Sequence, residues 1–315
     1  MSIIEKTWKI VEQFTTNPHH VIIDKSNISS LAHQIKEGMG PSQDFFIGKP
    51  KWFKEIPWGR AGYRELYELV AYELILDSVN YNYWYGRGDI RPNGASSYEM
   101  SKLLDKAFNE AHVLVPGDSR IICAFAIKAL KKKLINNRYP NLVNRLKHLD
   151  EIETTFHSGN GFSMMWIEQH LISDVSRGEE DAEKTLETLI GLYPTYASDM
   201  FLKRAFLFII EMNRRVGWFK NDIYKIPIPA DYQIPKMLHH FGVLIYDDML
   251  NKKIKNYELI LSGSLEECEI RASSIKACKM IAEEAEITMA DIDTYLFANR
   301  KNCMEPFHLT ITTDY

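Results

Sequence analysis

The stretch SGSLEECEIRASSIKAC, residues 262–278, contains the clearest helix start in the chain. Ser264 followed by Glu267 has the spacing of a capping box, in which each side chain accepts a hydrogen bond from the other residue's backbone amide. Helical spacing of apolar residues continues to about residue 285, which predicts a long helix. Glu269 and Arg271 interrupt the apolar pattern. Because a buried arginine needs a carboxylate partner, we expect a structural ion pair that supports a site without touching its ligand.

Apolar residues recur at helical spacing through most of the remaining chain. Thr288 followed by Asp291 marks another helix start, and Gly191 marks a helix end. Strand signals are limited to HVIID near residue 20 and to HLTITTDY at residues 308–315. The predicted fold is therefore mostly α, with little or no β-structure at the termini. The predicted helices lie near residues 5–14, 28–37, 63–79, 98–110, 120–136, 141–150, 163–175, 180–190, 199–215, 233–240, 243–250, 264–285 and 288–299.

The length of 315 residues is enough for one globular unit or for two tightly joined helical lobes. The chain has no internal repeat and no low-complexity tract, so we predict a single domain over residues 1–315. Two long loops, near residues 38–60 and 215–231, are rich in glycine, proline and aromatic residues. This composition predicts packed walls rather than flexible linkers.

Charge and cysteine content restrict the class of protein. The formal net charge of −4 gives no long-range attraction to nucleic acid, so a protein that grips duplex backbone is disfavoured. The four cysteines show neither CxxC spacing nor the density of a disulfide scaffold. The N-terminal segment MSIIEKTWKIVEQF predicts an amphipathic helix rather than a signal peptide, and no apolar run is long enough to span a membrane. We therefore expect a cytoplasmic protein without membrane contact.

Known catalytic and metal-binding templates do not fit the chain. His19 with His20 and His239 with His240 are adjacent pairs whose side chains diverge on a helix, and no HExxH spacing accompanies them. Neither a metal nor a cofactor is predicted. The Gly-Arg-Gly at residues 86–88 is not a phosphate-binding loop, and FHSGNGFS at residues 156–163 lacks the context of a nucleophile elbow.

The segment ADYQIP, residues 230–235, offers the best candidate for chemistry. It places Asp231 at the entrance to an apolar segment, directly after the proline-punctuated run IPIP. A carboxylate at such a junction can be held rigidly beside a cavity, as cleavage of a glycosidic bond requires.

An apolar helix ends in a group of polar and aromatic residues in ELILDSVNYNYWYG, residues 73–86. Asp77 and Asn80 stand beside several rings, among them Trp84. Rings that stack on a base and polar groups that read its edge are what a purine-like ligand requires. The structural alternative is a helix end packed by aromatic residues, with its polar groups satisfied locally.

Two cations begin the apolar helix of SDMFLKRAFLFIIEM, residues 198–212. Lys203 and Arg204 oppose the dipole of this helix, and a bound phosphate at the same end would resolve the conflict. In the alternative interpretation, the two side chains extend to solvent or pair with Asp199.

An ordered set of motifs over residues 65–315 resembles the queuosine salvage protein family, the queuosine 5′-phosphate N-glycosidases. The fold of that family is related to the helical DNA glycosylases. The motifs are LDSVNYNYW at 76–84, YPNLVNRL at 139–146, YPTYASDMFLKRA at 193–205, ADYQIPKML at 230–238, GSLEECEIRASSI at 263–275, IDTYLF at 292–297 and HLTITTDY at 308–315.

The resemblance implies hydrolysis of the bond between ribose and queuine, a 7-deazaguanine base, for salvage into transfer RNA. It implies that Asp231 is the catalytic carboxylate and that Lys203 contacts the phosphate. The other implied substrate contacts are Asp77, Asn80, Trp84, Asp199 and Tyr232. The expected partner is a small-molecule nucleotide, without stable nucleic-acid binding.

Three roles for Asp231 remain open at this point: stabilising a cationic sugar, bonding to it transiently, or orienting water. Two other functions also stay open. One is a glycosylase that acts on a base in DNA or RNA, and the other is a non-catalytic nucleobase or nucleotide carrier. A helical scaffold that binds partners through aromatic surfaces would leave the order of the motifs unexplained.

Overall fold

The computed structural model describes residues 1–38, 63–84, 95–115, 117–157, 166–172, 174 and 180–315. Most of these residues are helical, so the predicted mostly α fold is confirmed. Apart from Gly38, the predicted wall near residues 38–60 lies outside the described residues, as does the Gly-Arg-Gly at 86–88. The helices are α1 (Ile3–Thr15), α2 (Ser26–Gly38), α3 (Tyr63–Ser78), α4 (Ser97–Leu114), α5 (Ser119–Asn136), α6 (Leu142–Glu153), α7 (Ala182–Leu192), α8 (Pro194–Ala197), α9 (Lys203–Val216), α10 (Gln233–His240), α11 (Asp248–Lys255), α12 (Leu265–Ala285) and α13 (Met289–Asn299).

Shorter helical turns complete the described helical structure. Within the predicted helix at 163–175, Trp166–Ile172 forms a π-helical turn. Turns of 3₁₀-helix occur at Thr154–Phe156, Ile223–Lys225 and Arg300–Asn302.

A two-stranded antiparallel sheet joins distant parts of the chain. β1 (Val21–Ile23) pairs with β2 (Leu244–Tyr246), so the strand predicted near residue 20 is confirmed. The helix predicted at 243–250 is wrong in its first half, because Gly242 turns the chain at a φ of +71° and the next residues bond to β1. At 308–315 the described backbone forms only an isolated bridge, between Leu309 and Leu259.

Local caps explain most helix boundaries. At the start of α12, the Ser264 hydroxyl accepts from the Glu267 amide, but the Glu267 carboxylate accepts from the Gly263 amide, so only half of the predicted capping box forms. The box of Thr288 and Asp291 is complete. The prediction that Gly191 ends a helix is wrong. The helix α7 continues to Leu192 and ends before Tyr193, because the proline that follows Tyr193 disfavours a helical conformation there.

Buried apolar residues form two clusters. The larger cluster is built around α3, α4, α5, α7 and α9, and the smaller around α2, α10, α12 and α13 with the two strands. The assignment of residues 1–315 to one domain stays a prediction. None of the described helices combines the length and the apolar character needed to cross a lipid bilayer.

Candidate active site

A cavity runs between α3 and α9, and residues 229–232 and α13 also line it. On α9, the lining residues Lys203, Leu207, Glu211 and Arg215 recur every four positions, so one face of this helix forms a wall. The empty volume, together with the open mouth, is about 730 Å³.

Asp231 is half-buried at the entrance to α10. Its Oδ1 accepts hydrogen bonds from the backbone amides of Gln233, at 2.6 Å, and Ile234, at 3.3 Å. Aspartate is favoured in this position because it satisfies amides that the first helical turn leaves free. One oxygen thereby fixes the carboxylate against the helix, and among the described residues Oδ2 has no such bond. Asp231 can therefore present Oδ2 to a ligand.

Lys203 is 5% exposed and lines the same cavity. Its Nζ donates a hydrogen bond to the Asn80 carbonyl at 3.1 Å. Burial lowers the pKa of Lys203, whereas the nearby carboxylates of Asp231 and Asp77 act to raise it. An ammonium group has three donors, so Lys203 retains capacity to bind a ligand oxygen.

Three buried cations cap the carboxyl end of α3. The carbonyls of residues 78–82 accept hydrogen bonds from Lys203, Arg204 and Arg145. Cations at this end of a helix complement its dipole. The alternative in which Lys203 and Arg204 extend to solvent is therefore wrong. Their unfavourable position at the amino end of α9 is offset by their favourable position at the carboxyl end of α3.

Asp77 and Glu73 lie one turn apart on α3, both almost completely buried in the cavity wall. Burial raises the pKa of Asp77 well above its ordinary value, and the neighbouring Glu73 and Glu211 raise it further. Burial also raises the pKa of Glu73 to about 8. Among the described residues, Asp77 Oδ2 and Glu73 Oε2 have no hydrogen-bond partner.

The opposite end of the cavity contains a network of ion pairs. Arg215 Nε lies 2.6 Å from Glu73 Oε1 and 3.6 Å from Glu211 Oε2. Arg214 pairs with Glu211 at 2.9 Å and with Asp293 at 3.1 Å. Burial raises the pKa of Asp293 to about 6 despite its pairing with Arg214.

This network was not predicted from the sequence. A usable signal was present, because Glu211 and Arg215 stand eight and twelve residues after Lys203, which places all three on one face of a helix.

An aromatic layer supports the cavity beside Asp231. Tyr232 lines the cavity, and the Trp84 ring packs against it edge-on, with centroids 4.5 Å apart. Phe307 packs against both rings. Trp84 is therefore behind the wall and does not line the cavity.

Asp199 also lies behind the wall. Its two oxygens pair with Arg271 Nη1 at 2.8 Å and Nη2 at 2.7 Å, and they accept the backbone amides of Phe201 and Lys203. Burial acts to raise the pKa of Asp199, but Arg271 and these hydrogen bonds lower it. The ion pair expected for Arg271 is confirmed, and it holds the start of α9, where Leu202 adopts a left-handed φ of +51°.

The Glu269 side chain points inward as expected, but its partners are backbone amides and not Arg271. Its carboxylate accepts the backbone amides of His19, His20 and Val21, so it fastens β1 to α12. Within the described ranges, no group of three or more histidine, cysteine or acidic side chains is placed to hold a metal ion.

The structure thus brings Asp77, Asn80, Lys203, Asp231 and Tyr232 together around one cavity. Trp84 and Asp199 each contact a cavity residue from behind. The substrate roles assigned to these residues stay predictions.

The fold and the cavity define a mostly helical protein with a cavity that combines a fixed carboxylate with a buried lysine. A family model described as queuosine salvage protein matches residues 63–313. The chain belongs to this family, and the resemblance seen in its motifs is confirmed.

Curated relatives carry the name queuosine 5′-phosphate N-glycosylase/hydrolase. The protein from Sphaerobacter thermophilus is 25% identical over 293 residues, which cover 87% of this chain and 83% of that protein. The Nematostella vectensis protein is 26% identical over 237 residues, 67% of this chain and 65% of the relative. The mouse protein is 30% identical over 122 residues, and this match spans only 36% of the mouse protein.

Proposed function

We propose that this protein hydrolyses the N-glycosidic bond of queuosine 5′-phosphate, or of a closely related 7-deazaguanine nucleotide, and so releases queuine for transfer RNA modification. One observation carries the proposal: Asp231 is held by two backbone amides at the wall of a cavity that Lys203 also lines. The names of relatives in the same family support the choice of substrate.

The proposed role of Asp231 follows from the charge that develops in the reaction. Departure of the base leaves positive charge on the ribose carbon, and a carboxylate fixed beside that carbon stabilises it. A 7-deazapurine lacks the ring nitrogen that ordinary purine hydrolases protonate, so assistance to the leaving group must come at other atoms of the base. More of the barrier then depends on stabilising the sugar, which is the task assigned to Asp231.

The remaining cavity residues are assigned to binding. We place the 5′-phosphate at Lys203, because its Nζ uses one donor on Asn80 and retains others. Asp77, Asn80 and Tyr232 are placed around the base. Trp84 and Asp199, which lie behind the wall, support Tyr232 and the backbone at Lys203.

A glycosylase acting on DNA or RNA is the competing enzyme. Among the described lining residues, five carboxylates accompany only two basic side chains, Lys203 and Arg215. Arg215 is already paired with Glu73 and Glu211, so the described lining lacks the row of cations that a polyanionic backbone needs, whereas a single phosphate needs only one cation. We therefore propose a mononucleotide substrate, handled in the cytoplasm without stable binding of nucleic acid.

The function is tested by incubating the protein with queuosine 5′-phosphate, queuosine and the four ordinary ribonucleoside 5′-phosphates. Released base is measured by chromatography over many turnovers. We expect multiple turnovers and release of free queuine from the 7-deazaguanine nucleotide. Binding without release would support a carrier, and release from base-modified oligonucleotides alone would support a nucleic-acid glycosylase.

A further inference from the structure

The outer face of α5 carries a row of exposed side chains, here called the α5 stripe. Its members are Ile121, Phe125, Lys128, Lys132 and Ile135, at alternating spacings of four and three residues. This spacing places them on one side of the helix, and it is the repeat by which one helix packs along another. The three apolar members are 44%, 40% and 51% exposed in chain order, so the described chain leaves much of their surface uncovered. The α5 stripe therefore has the form of a contact surface for a second helix.

Helix α5 is strongly basic, although the formal net charge of the chain is −4. The helix contains one arginine, four lysines and no acidic residue. Lys131 is paired with acidic residues of α6, and Lys133 is paired with an acidic residue of α4. Lys128 and Lys132, inside the α5 stripe, form no ion pair with any described residue. The α5 stripe therefore presents two exposed positive charges, one helical turn apart.

We propose that the α5 stripe is a docking surface for an amphipathic helix of another protein. The partner helix carries carboxylates opposite Lys128 and Lys132 and apolar residues opposite the two ends of the α5 stripe. Carboxylates at those positions make charge-assisted hydrogen bonds to the two ammonium groups while the apolar side chains are covered. From Ile121 to Ile135 the helix rises by about 21 Å, so a partner helix of about four turns covers the whole α5 stripe.

The position of Lys128 disfavours a second copy of this chain as the partner. The α5 stripe is centred on Lys128, with Ile121 and Ile135 seven residues to either side. Whether two copies of α5 pack parallel or antiparallel, alignment of their apolar ends brings Lys128 against its own counterpart. Like charges at a helix contact cost free energy and select against the pairing. The charge pattern therefore favours a different chain with acidic residues.

The position of the two lysines also separates a helix partner from other anionic surfaces. A helix that lies on an anionic membrane keeps its lysines on the polar face, whereas Lys128 and Lys132 interrupt the apolar face of α5. A nucleic-acid backbone is bound by a longer row of unpaired cations. A stripe with basic residues in the middle and apolar residues at both ends instead matches a helix with the opposite charges.

Photo-crosslinking of the full-length protein in its own cells tests the surface. A photoreactive benzoylphenylalanine takes the place of Phe125, and in a control it takes the place of Met249, which is 73% exposed on α11. We expect position 125, but not position 249, to crosslink to an acidic amphipathic segment of another protein, identified by mass spectrometry. Crosslinks to a second copy of this chain, to lipid or to RNA would overturn the proposal. A yield at position 125 no higher than at position 249 would overturn it as well.

A charge reversal tests whether the two lysines select the partner. Lys128→Glu combined with Lys132→Glu should lower the crosslinking yield at position 125 by at least about 10-fold, because carboxylates then face carboxylates. Lys6→Glu combined with Lys9→Glu makes the same change of net charge at exposed positions of α1 and should leave the yield unchanged. Equal yields for the two double variants would contradict the assignment. Base release should be unaltered in both, since none of these lysines lines the cavity.

Binding of synthetic peptides to the purified protein gives a second test that does not depend on the partner's identity. The probe is an amphipathic helical peptide with glutamates at the two central contact positions, and its control has lysines there. We expect the glutamate peptide to bind at least about 10-fold more tightly, and the Lys128→Glu, Lys132→Glu variant to reverse this order. An unfolded variant could not show such a reversal. Equal affinities of the two peptides for the unaltered protein would overturn the proposal.

Discussion

Two buried charge clusters in this protein differ in how completely they are satisfied. In the first, Arg271 and Asp199 form two parallel hydrogen bonds, and Asp199 also accepts two backbone amides. In the second, Asp77 and Glu73 each leave an oxygen without a hydrogen bond among the described residues. Both clusters are almost completely buried, so burial alone does not distinguish a structural charge from a functional one.

The difference in partners does distinguish them. A buried carboxylate with all its hydrogen bonds made has nothing left to offer a ligand, and its loss exposes its partner to an apolar interior. A buried carboxylate with a vacant oxygen carries an unfavourable free energy that a ligand can relieve. We therefore expect substitutions in the first cluster to change stability, and substitutions around the cavity to change activity.

Removal of Arg271 should have the largest effect on stability. Arg271→Met leaves Asp199 buried without its partner and should lower the free energy of unfolding by about 3 to 5 kcal/mol. The measurement is urea denaturation followed by circular dichroism. Lys276→Met on the same helix removes a partly exposed pair with Glu12 and a hydrogen bond to Thr15, and it should change the free energy of unfolding by about 1 kcal/mol or less. Equal changes in the free energy of unfolding for the two variants would contradict the structural role of the pair between Arg271 and Asp199.

Substitution of Asp231 should reduce catalysis without a comparable loss of stability. Asp231→Asn should lower kcat for base release by about 10²- to 10³-fold, while nucleotide binding stays measurable by calorimetry. Asp181→Asn provides the matched control, because Asp181 likewise accepts an amide in the first turn of its helix but lies outside the cavity lining. Activity of Asp231→Asn close to that of the unaltered protein would exclude the catalytic role.

Loss of the Lys203 charge tests the placement of the phosphate. Lys203→Met keeps most of the side-chain stem and should weaken binding of the 5′-phosphate by about 10- to 100-fold relative to the unaltered protein. Binding of the nucleoside without phosphate should fall by much less. Equal losses for both ligands, measured by calorimetry, would mean that Lys203 serves Asp231 and Asp77 rather than the phosphate.

The raised pKa of Glu73 should make the free energy of unfolding depend on pH. Its pKa is raised to about 8 in the folded protein from an ordinary value of 4.5, so the folded state holds a proton that the unfolded state has released. Between about pH 5.5 and 7 the free energy of unfolding should therefore fall as pH rises, by about 1.4 kcal/mol per pH unit from this group, and the slope should lessen toward pH 8. Glu73→Gln should flatten that slope when both proteins are followed by denaturation across the same pH range. The idea fails if the two slopes coincide.

Helix positions were predictable because their signals are local. Residues three or four apart on a helix are neighbours, so the apolar spacing in 63–79 and 264–285 indicates α3 and α12 without knowledge of the rest of the chain. The helix predicted at 243–250 failed for the converse reason, since Leu244–Tyr246 bonds to a strand more than 200 residues away. The strand near residue 20 was predicted from its own residues, but the pairing itself left no signal in residues 243–250.

The candidate site was only partly predictable from the same signals. Asp231, Lys203 and Asp77 were identified because each stands at the junction or end of an apolar segment. Glu73 and Asp293 were missed, because an acidic residue on a helix looks the same in sequence whether it faces water or a cavity. Glu211 was missed although its spacing from Lys203 places both on one face of a helix.

The sequence alone determined the mostly α fold and the family, because helix periodicity and motif order are properties of near neighbours and of residue identity. Only the tertiary structure decided which buried charges are partners. Asp199 meets Arg271 from 72 residues away and so becomes a support for α9, while Asp77 forms no ion pair with any described residue and lies in the cavity wall. The physical reason is that the free energy of a buried charge depends on what surrounds it in space, and chain neighbours supply only a small part of those surroundings.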